Sequence, residues 1–505
     1  MQIPLDRASP VSLSRQISRH LERLIQTGVL QPEVKLPATR ELARTLGVNR
    51  ATVATAYRTL VAEGLASAHV GQGTFVARRD GGSLAPPPAE PFLDWDGHSS
   101  RAARRLVADT RRRSSFDLLA RARPGLISFA GAMPDASLFP TDAFRQVLNR
   151  VIKREGAALL QYHAVSGYPP LKRFLMGWLL RHGIEATEDE ILIVNGSQQG
   201  LDLIVRILLD PGDPVAIEQP TYPGALQTLE AFQAQLLTVP VGEAGLRPEP
   251  LARLLDQHRP KLLYCQPTAQ TPTGLSIPQE ARLELMALAA RRRLPVVEDG
   301  FGGPSYQETP PPPLKALDPH GLVIHLGSLS KILFPGLRLG WIVASRPVME
   351  RLLALKQLSD LHTSALLQAA VFQFCQRRLL ERHTRVVRAE YARRRAALLA
   401  ALGRHMPAGT SWTVPDGGFS LLVTLPGRVD TDALLPEAVE RGVAYTPGAF
   451  FFADGRGAST LRLSFSGIPA PRIEEGVRRL AETARPALRR RAPRAVGERS
   501  ELPLV

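Results

Sequence analysis

The sequence predicts an α/β protein of two parts: a small three-helix domain closed by a β-hairpin, and a large domain built on a mainly parallel sheet. Three observations carry this prediction. Helical periodicity broken at glycines fills residues 11–78, short apolar runs alternate with helical patterns beyond Ile127, and the stretch between has neither period but is rich in proline, glycine and arginine. A chain of 505 residues exceeds what one core can serve, and its 44% apolar content supplies two.

Composition narrows the class of function. No apolar run of membrane-spanning length escapes a charge or a breaker, and Met1 to Arg7 lacks the apolar core of an export signal, so the expectation is a soluble cytoplasmic protein with no membrane partner. Cys265 and Cys375 lie in apolar segments at no metal-like spacing and read as buried reduced thiols, with no metal site. A net charge of +16 and a pI near 10.5 suggest a polyanionic partner.

Taking the elements in order, Leu13, Ile17, Leu21, Leu24 and Ile25 recur at helical spacing until Thr27-Gly28. A second helix runs from Thr39 to Leu46 and ends at Gly47, a residue suited to the left-handed closing position. Asn49 then caps a third, whose buried face is Val53, Tyr57, Leu60 and Val61. Two short helices across a glycine-centred turn form a helix-turn-helix, the later of which enters a DNA major groove. Its outward face carries Arg50, Thr52, Thr55 and Arg58 for phosphates or base edges, and Arg40 is placed for the backbone. Strands at 65–69 and 74–77 flank Val70-Gly71-Gln72-Gly73, a wing whose Gly71 and Gly73 allow close approach to the sugar-phosphate rail. The runs Leu36 to Ala43, Leu46 to Val53 and Gly71 to Val76 closely resemble the winged helix of GntR-type transcription regulators. The resemblance covers residues 11–77 and implies double-stranded DNA as a partner, with Asn49 and the two wing glycines among the contacts.

Residues 79–125 read as a Pro/Gly/Arg-rich linker with part of it open to helix, and 485–505 as a basic disordered tail. Between them, 126–484 forms the large domain. Its apolar runs are Ile191 to Val194, Pro214 to Ile217, Lys261 to Cys265, Pro295 to Val297 and Leu322 to Leu326, and ligands in such sheets sit at the carboxyl ends of strands. After the first run, Asn195-Gly196-Ser197-Gln198 enters a helix and reads either as a phosphate cradle or as a plain cap. After the second, Tyr222 stands between prolines, either stacking on an aromatic ligand or packing its loop. Glu298-Asp299 ends a buried strand, and alternation points the two carboxylates to opposite faces, leaving Asp299 the better placed to hold a pyridine nitrogen protonated. The stretch Gly327 to Trp341 sets Lys331 beside Ser328 and Ser330 and follows it with Arg338. That set suits an aldehyde cofactor bearing a phosphate: the amine condenses with the carbonyl, and the hydroxyls and guanidinium grip the dianion. Only seven of the 63 basic residues are lysine, and a guanidinium could not act as the nucleophile.

Glycine turn, tyrosine, carboxylate and lysine occur in the order of the fold-type-I pyridoxal-phosphate enzymes, the aspartate aminotransferase superfamily, which the chain resembles from about residue 127 to 484. The resemblance implies a fold-type-I domain with a smaller C-terminal α+β subdomain and pyridoxal 5'-phosphate as cofactor. Lys331 is then the lysine that holds it as a Schiff base, and with Asp299 at the pyridine nitrogen it forms the catalytic pair. Tyr222 lines the ring; Ser197, Gln198, Ser328, Ser330 and Arg338 hold the phosphate; Tyr162 reaches the partner subunit's phosphate; Arg462 receives a substrate or effector carboxylate. A winged helix fused to such a domain is similar to the MocR subgroup of GntR regulators, which sense pyridoxal phosphate, sometimes with an amine or amino acid, as head-to-tail homodimers.

The match departs at three places. Phe301 replaces a tyrosine, Thr271 an asparagine and Ala269 a histidine of the pattern, so two hydrogen-bond donors to the cofactor's O3′ are gone, which implies retained binding and weak turnover. The expected function is therefore a DNA-binding transcription regulator controlled by pyridoxal phosphate. The alternative is an active aminotransferase carrying a DNA-binding module, kept open by the intact Lys331, Asp299 and Arg462.

Overall fold

The computed structural model describes residues 3–7, 9–69, 73–77, 93–108, 125–300 and 303–489. It divides into two compact units, Met1–Ser99 and Ser100–Val505.

In the first unit, α1 (Leu13–Gln26), α2 (Thr39–Leu46) and α3 (Arg50–Ala62) precede a hairpin of β1 (Ala66–His69) and β2 (Gly73–Val76). Gly47 closes α2 in the left-handed conformation at φ +62°, and the Asn49 side chain caps α3 by accepting from the Ala51 amide at 2.9 Å. Ile17, Leu21, Leu42, Val53, Ala56, Tyr57 and Leu60 form the core. Val61, expected inside, is 39% exposed: positions 53, 56, 57 and 60 already complete the inward stripe, and 61 falls beside it. Ile3 packs into the same core from ahead of α1. The antiparallel hairpin pairs Ala66 with Val76 and His69 with Gly73, while Lys35 bridges to Phe75 and ties the segment before α2 to the wing.

The second unit begins its pairing with β3 (Ile127–Ser128), which runs parallel to β14 (Val443–Ala444). Its centre is an eight-stranded sheet of β4 (Ile191–Val194), β5 (Pro214–Gln219), β6 (Gln235–Gly242), β7 (Gly245–Leu246), β8 (Leu262–Cys265), β9 (Val296–Asp299), β10 (Val323–Ser328) and β11 (Gly340–Val343), in the order β4-β11-β10-β9-β8-β5-β6-β7. Neighbours from β10 to β6 are parallel. β11 is antiparallel to both its neighbours, and β7 to β6. Strands β4, β5, β8, β9 and β10 fall on the apolar runs of the sequence, whereas β11 was hidden inside the segment read for its chemistry. Buried residues on both faces explain the uninterrupted apolar strands: all four of β4 are buried, as are all four of β9.

A second, antiparallel sheet of β12 (Ser411–Trp412), β13 (Ser420–Thr424), β15 (Thr446–Pro447) and β16 (Thr460–Ser464), ordered β12-β13-β16-β15, packs with helices Leu379–His405 and Ala470–Arg489 around Tyr391, Phe419, Leu463 and Leu480. This is the C-terminal α+β part. The last helix runs past residue 484 into the stretch expected to be disordered, because Ala484 is buried, Leu488 packs on the core and Arg485 donates to the His405 carbonyl at 2.9 Å. The remainder of that tail, 490–505, lies outside the described residues, as do 79–92 and 109–124 of the expected linker. Helix Arg101–Ala108 falls within the linker's span. Among the described residues no helix is long and apolar enough to cross a membrane, no cluster could hold a metal, and Cys265 and Cys375 are free and buried.

Candidate functional site

β10 and β11 are joined by the loop that carries Lys331 and Arg338, and their register, Ser328 opposite Gly340, fixes where that loop starts and ends. Because β11 pairs with β4 on its other side, Gly340 opposite Val194, the loop lies against the turn that follows β4. The contact is tight. A Cβ on Gly340 would come within 3.0 Å of the Ser197 amide nitrogen, and one on Gly196, at φ +79°, within 2.5 Å of an Arg338 guanidinium nitrogen. Arg338 itself takes φ +51° and donates to the Asn195 carbonyl at 3.2 Å. A guanidinium is thereby held at the N-terminus of helix Ser197–Leu208, where amides and helix dipole already favour an anion. Ser328 is buried and its hydroxyl accepts from the Ser330 amide at 3.1 Å. Gln198 donates to Thr228 at 2.7 Å and accepts from the Tyr222 hydroxyl at 3.4 Å, so the tyrosine is tied to the same helix end.

At the end of β9, Asp299 faces this cluster and Glu298 does not. Glu298 accepts from the Leu314 amide at 2.7 Å and the Lys315 amide at 3.0 Å and meets His325 Nδ1 at 3.0 Å. One oxygen of Asp299, Oδ2, takes both the Tyr264 hydroxyl at 2.7 Å and the Gln266 amide at 3.1 Å. Burial pushes the Asp299 carboxyl up, against the pull of those two donors and of His325 and Lys331. Burial and the nearby Asp299 carboxylate push the Tyr222 hydroxyl to about 12, so it stays a donor. Lys331 donates to the Ala132 carbonyl at 2.8 Å. Burial, with the positive charges of Arg462 and Arg338, lowers its amine to about 8 despite Asp299, which is the condition for nucleophilic attack near neutral pH.

Arg462, in the middle of β16, is buried and donates to the Ala130 carbonyl and, at 2.8 Å, to the Thr446 hydroxyl. Its Nε has no partner. Burial lowers it to about 10. An incompletely paired buried guanidinium is costly unless an anion completes it.

Tyr162 is not drawn into this group: it is 82% exposed, its ring edge-on to His362 with centroids 5.9 Å apart. Thr271 contributes its backbone, donating to the Gln266 side-chain oxygen at 3.0 Å, and Ala269 is buried with its amide on Ser276. Phe301 lies outside the described residues. Sequence reasoning missed Tyr264 and Gln266, which Asp299 leans on. Tyr264 sat inside an apolar run, but it and Gln266 are two apart on an extended segment, so they point the same way, and both are polar.

In the first unit Arg40, Arg50, Thr55 and Arg58 are exposed and Thr52 half-buried, with the Arg58 guanidinium on the Thr55 hydroxyl at 3.0 Å. Asn49 is exposed but its side-chain oxygen serves the cap. Gly73 takes φ +116° and lies so close to Lys35 that a Cβ would come within 2.9 Å of its Cε. Gly71 lies outside the described residues.

A sheet of this order, with a lysine loop beside a helix N-terminus and a carboxylate across from it, defines a fold-type-I aminotransferase-like domain, here joined to a winged helix. The family of class I and II aminotransferases matches residues 130–480, and the gntR family of bacterial regulatory proteins matches residues 13–76. The chain belongs to both, as a MocR-type transcription regulator: a DNA-binding gntR head on an aminotransferase-like domain. Over 483 residues, 94% of each chain, it is 30% identical to the probable rhizopine catabolism regulatory protein MocR of Rhizobium meliloti. It is 35% identical to aromatic-amino-acid aminotransferase 1 of Thermococcus litoralis over 408 residues, 79% of this chain and 97% of that one. The solved multiple substrate aminotransferase of Thermococcus profundus superposes with a TM-score of 0.74 at 35% identity, covering 79% of this chain and all of that structure.

Proposed function

We propose that this transcription regulator is controlled by pyridoxal phosphate attached to Lys331, with or without an amine or amino-acid co-effector. The observation that carries the reading is the Lys331 amine, held at about 8 between Asp299 and two guanidiniums in a chain that also bears a DNA-binding head. The donor set fits the cofactor. Lys331 would anchor the aldehyde, and Asp299 has Oδ1 left for the pyridine nitrogen. Arg338, Ser197, Ser328, Ser330 and Gln198 surround the place for a phosphate, Tyr222 would lie along the ring, and the unpaired Nε of Arg462 awaits a carboxylate. When bound, the cofactor supplies an electron-accepting ring and an aldehyde that condenses with the amine, releasing water. Tyr162, exposed in one chain, would complete the phosphate site of a second copy in a head-to-tail homodimer. Arg40, Asn49, Arg50, Thr52, Thr55, Arg58 and the wing glycines would face DNA, with domain limits at 11–78, 79–125 and 126–484. Such a protein works where the chromosome is, in the cytoplasm.

The purified protein mixed with pyridoxal phosphate should gain a visible absorbance band that Lys331→Ala lacks while keeping its circular dichroism. Equal bands in both would remove Lys331 from the reading. Amino-acid and oxo-acid pairs should give less than one amino-group transfer per site, since Thr271 offers no side-chain amide; sustained turnover would make the chain an enzyme instead.

A further inference from the structure

The large unit carries an arginine face that the cofactor site does not use. Helix Leu379–His405 turns Leu380, His383, Val387 and Tyr391 inward, so Arg378 at its cap and Arg382 and Arg385 within it form a row on the opposite side, and all three are exposed. Just before that row, Arg377 meets Arg150 and Arg154 of helix Thr141–Leu159 in one shallow groove. The groove's one acid is Glu155, which already accepts the Tyr168 hydroxyl at 3.3 Å. Glu381, the acid within the row, has a buried oxygen and so turns away from solvent.

None of these six guanidiniums makes an ion pair or side-chain hydrogen bond among the described residues. Several other surface arginines of the same unit are matched: Arg478 with Glu475 and Glu482, Arg479 with Glu475, Arg404 with Glu474. Six unmatched guanidiniums in adjoining positions repel one another, and an anion relieves that repulsion. The row from Arg378 to Arg385 rises about 10 Å along the helix, and with the open groove it makes an extended strip rather than an enclosed pocket. A strip of planar donors without walls suits a string of phosphates better than one small anion.

We propose that this face holds the phosphate backbone of double-stranded DNA, giving the regulator a sequence-independent contact on its aminotransferase-like domain beyond that of the winged helix. The head on the same chain supplies the reason for this occupant, since it keeps DNA at high local concentration around the large domain.

The test measures binding of the full-length protein to a 60-bp duplex of arbitrary sequence as a function of salt. Arg378→Gln/Arg382→Gln/Arg385→Gln should lower the slope of log K against log salt by about 3 and weaken binding at about 0.1 M salt at least tenfold. Arg253→Gln/Arg259→Gln/Arg291→Gln, which removes the same charge from exposed positions outside the strip, should leave the slope as in the wild type. On a 20-bp duplex, long enough for one head, the first triple variant should lose less than it does on the longer DNA. A wild-type slope in the first triple variant, or the same fall in both, would overturn the proposal. An unchanged circular dichroism spectrum and denaturant midpoint certify that the variants are folded.

Discussion

Two buried arginines of the large domain show how scaffold and site differ. Arg282, on helix Gln279–Arg292, is fully buried. It donates through Nε to Ile277 at 2.8 Å, through Nη1 to Pro312 at 2.7 Å, and through Nη2 to Pro267 at 2.6 Å and the Thr268 hydroxyl at 2.8 Å. Every nitrogen is answered, and the guanidinium clamps the segment after β8 to the Pro311-Pro312 turn. Arg462 is nearly as buried, yet its Nε is unanswered and its Cζ lies 5.3 Å from the centre of the Phe451 ring. Protein atoms complete the first. The second keeps an Nε that no protein atom of the described residues answers, and under the proposed function a carboxylate oxygen would complete it, so partner count rather than burial or charge is what distinguishes the two arginines.

The comparison can be broken by substitution. The largest effect should come from Arg282→Met, which strands several buried carbonyls at once and should lower stability by about 3–5 kcal/mol, seen in the denaturant midpoint. Arg462→Met should leave that midpoint within about 1 kcal/mol of wild type, because it removes a buried charge that was only partly paired. It should, however, weaken a carboxylate-bearing effector on the cofactor-loaded protein by about 2–3 kcal/mol, read as a shift in its titration. If both variants lost stability equally, the distinction between the two arginines would fail.

A smaller effect concerns protons. Burial raises the Glu218 carboxyl to about 8, although Gln266, Gln270 and Thr221 donate to it. Its folded value lies above the ordinary carboxylate range, so the folded state holds a proton that the unfolded chain releases. The stability it adds is whole at about pH 4 and is lost as pH rises through about 8. Glu218→Gln should flatten the fall in melting temperature between about pH 5 and 8. Lys331 works in the other sense for reactivity: with its amine at about 8, attachment of the cofactor should accelerate from about pH 6 to 8 and level off above.

Much of this was legible in the sequence because its signals are local. The glycine at 47, the asparagine cap at 49 and the stripe of α1 each act within a turn or two of helix, and the apolar runs of β4, β8 and β9 are buried on both faces whatever their neighbours. Asp299 could be separated from Glu298 by alternation alone. What escaped was set by contacts distant in sequence. Tyr264 and Gln266 earn their places only because β8 lies beside β9, and β11 reads as loop chemistry until it is slotted between β4 and β10. Val61 failed for a local reason instead, since Ala56, too small to mark a stripe, fills the inward position on the same helix.

The central claim joins the lysine site to the DNA head, and footprinting upstream of the protein's own gene, with and without pyridoxal phosphate, tests it most directly. The account predicts that the cofactor changes the affinity or extent of the wild-type footprint and leaves that of Lys331→Ala unchanged, while Arg50→Ala loses the footprint but keeps the absorbance band. A footprint indifferent to pyridoxal phosphate, or one that responds equally in Lys331→Ala, would contradict it.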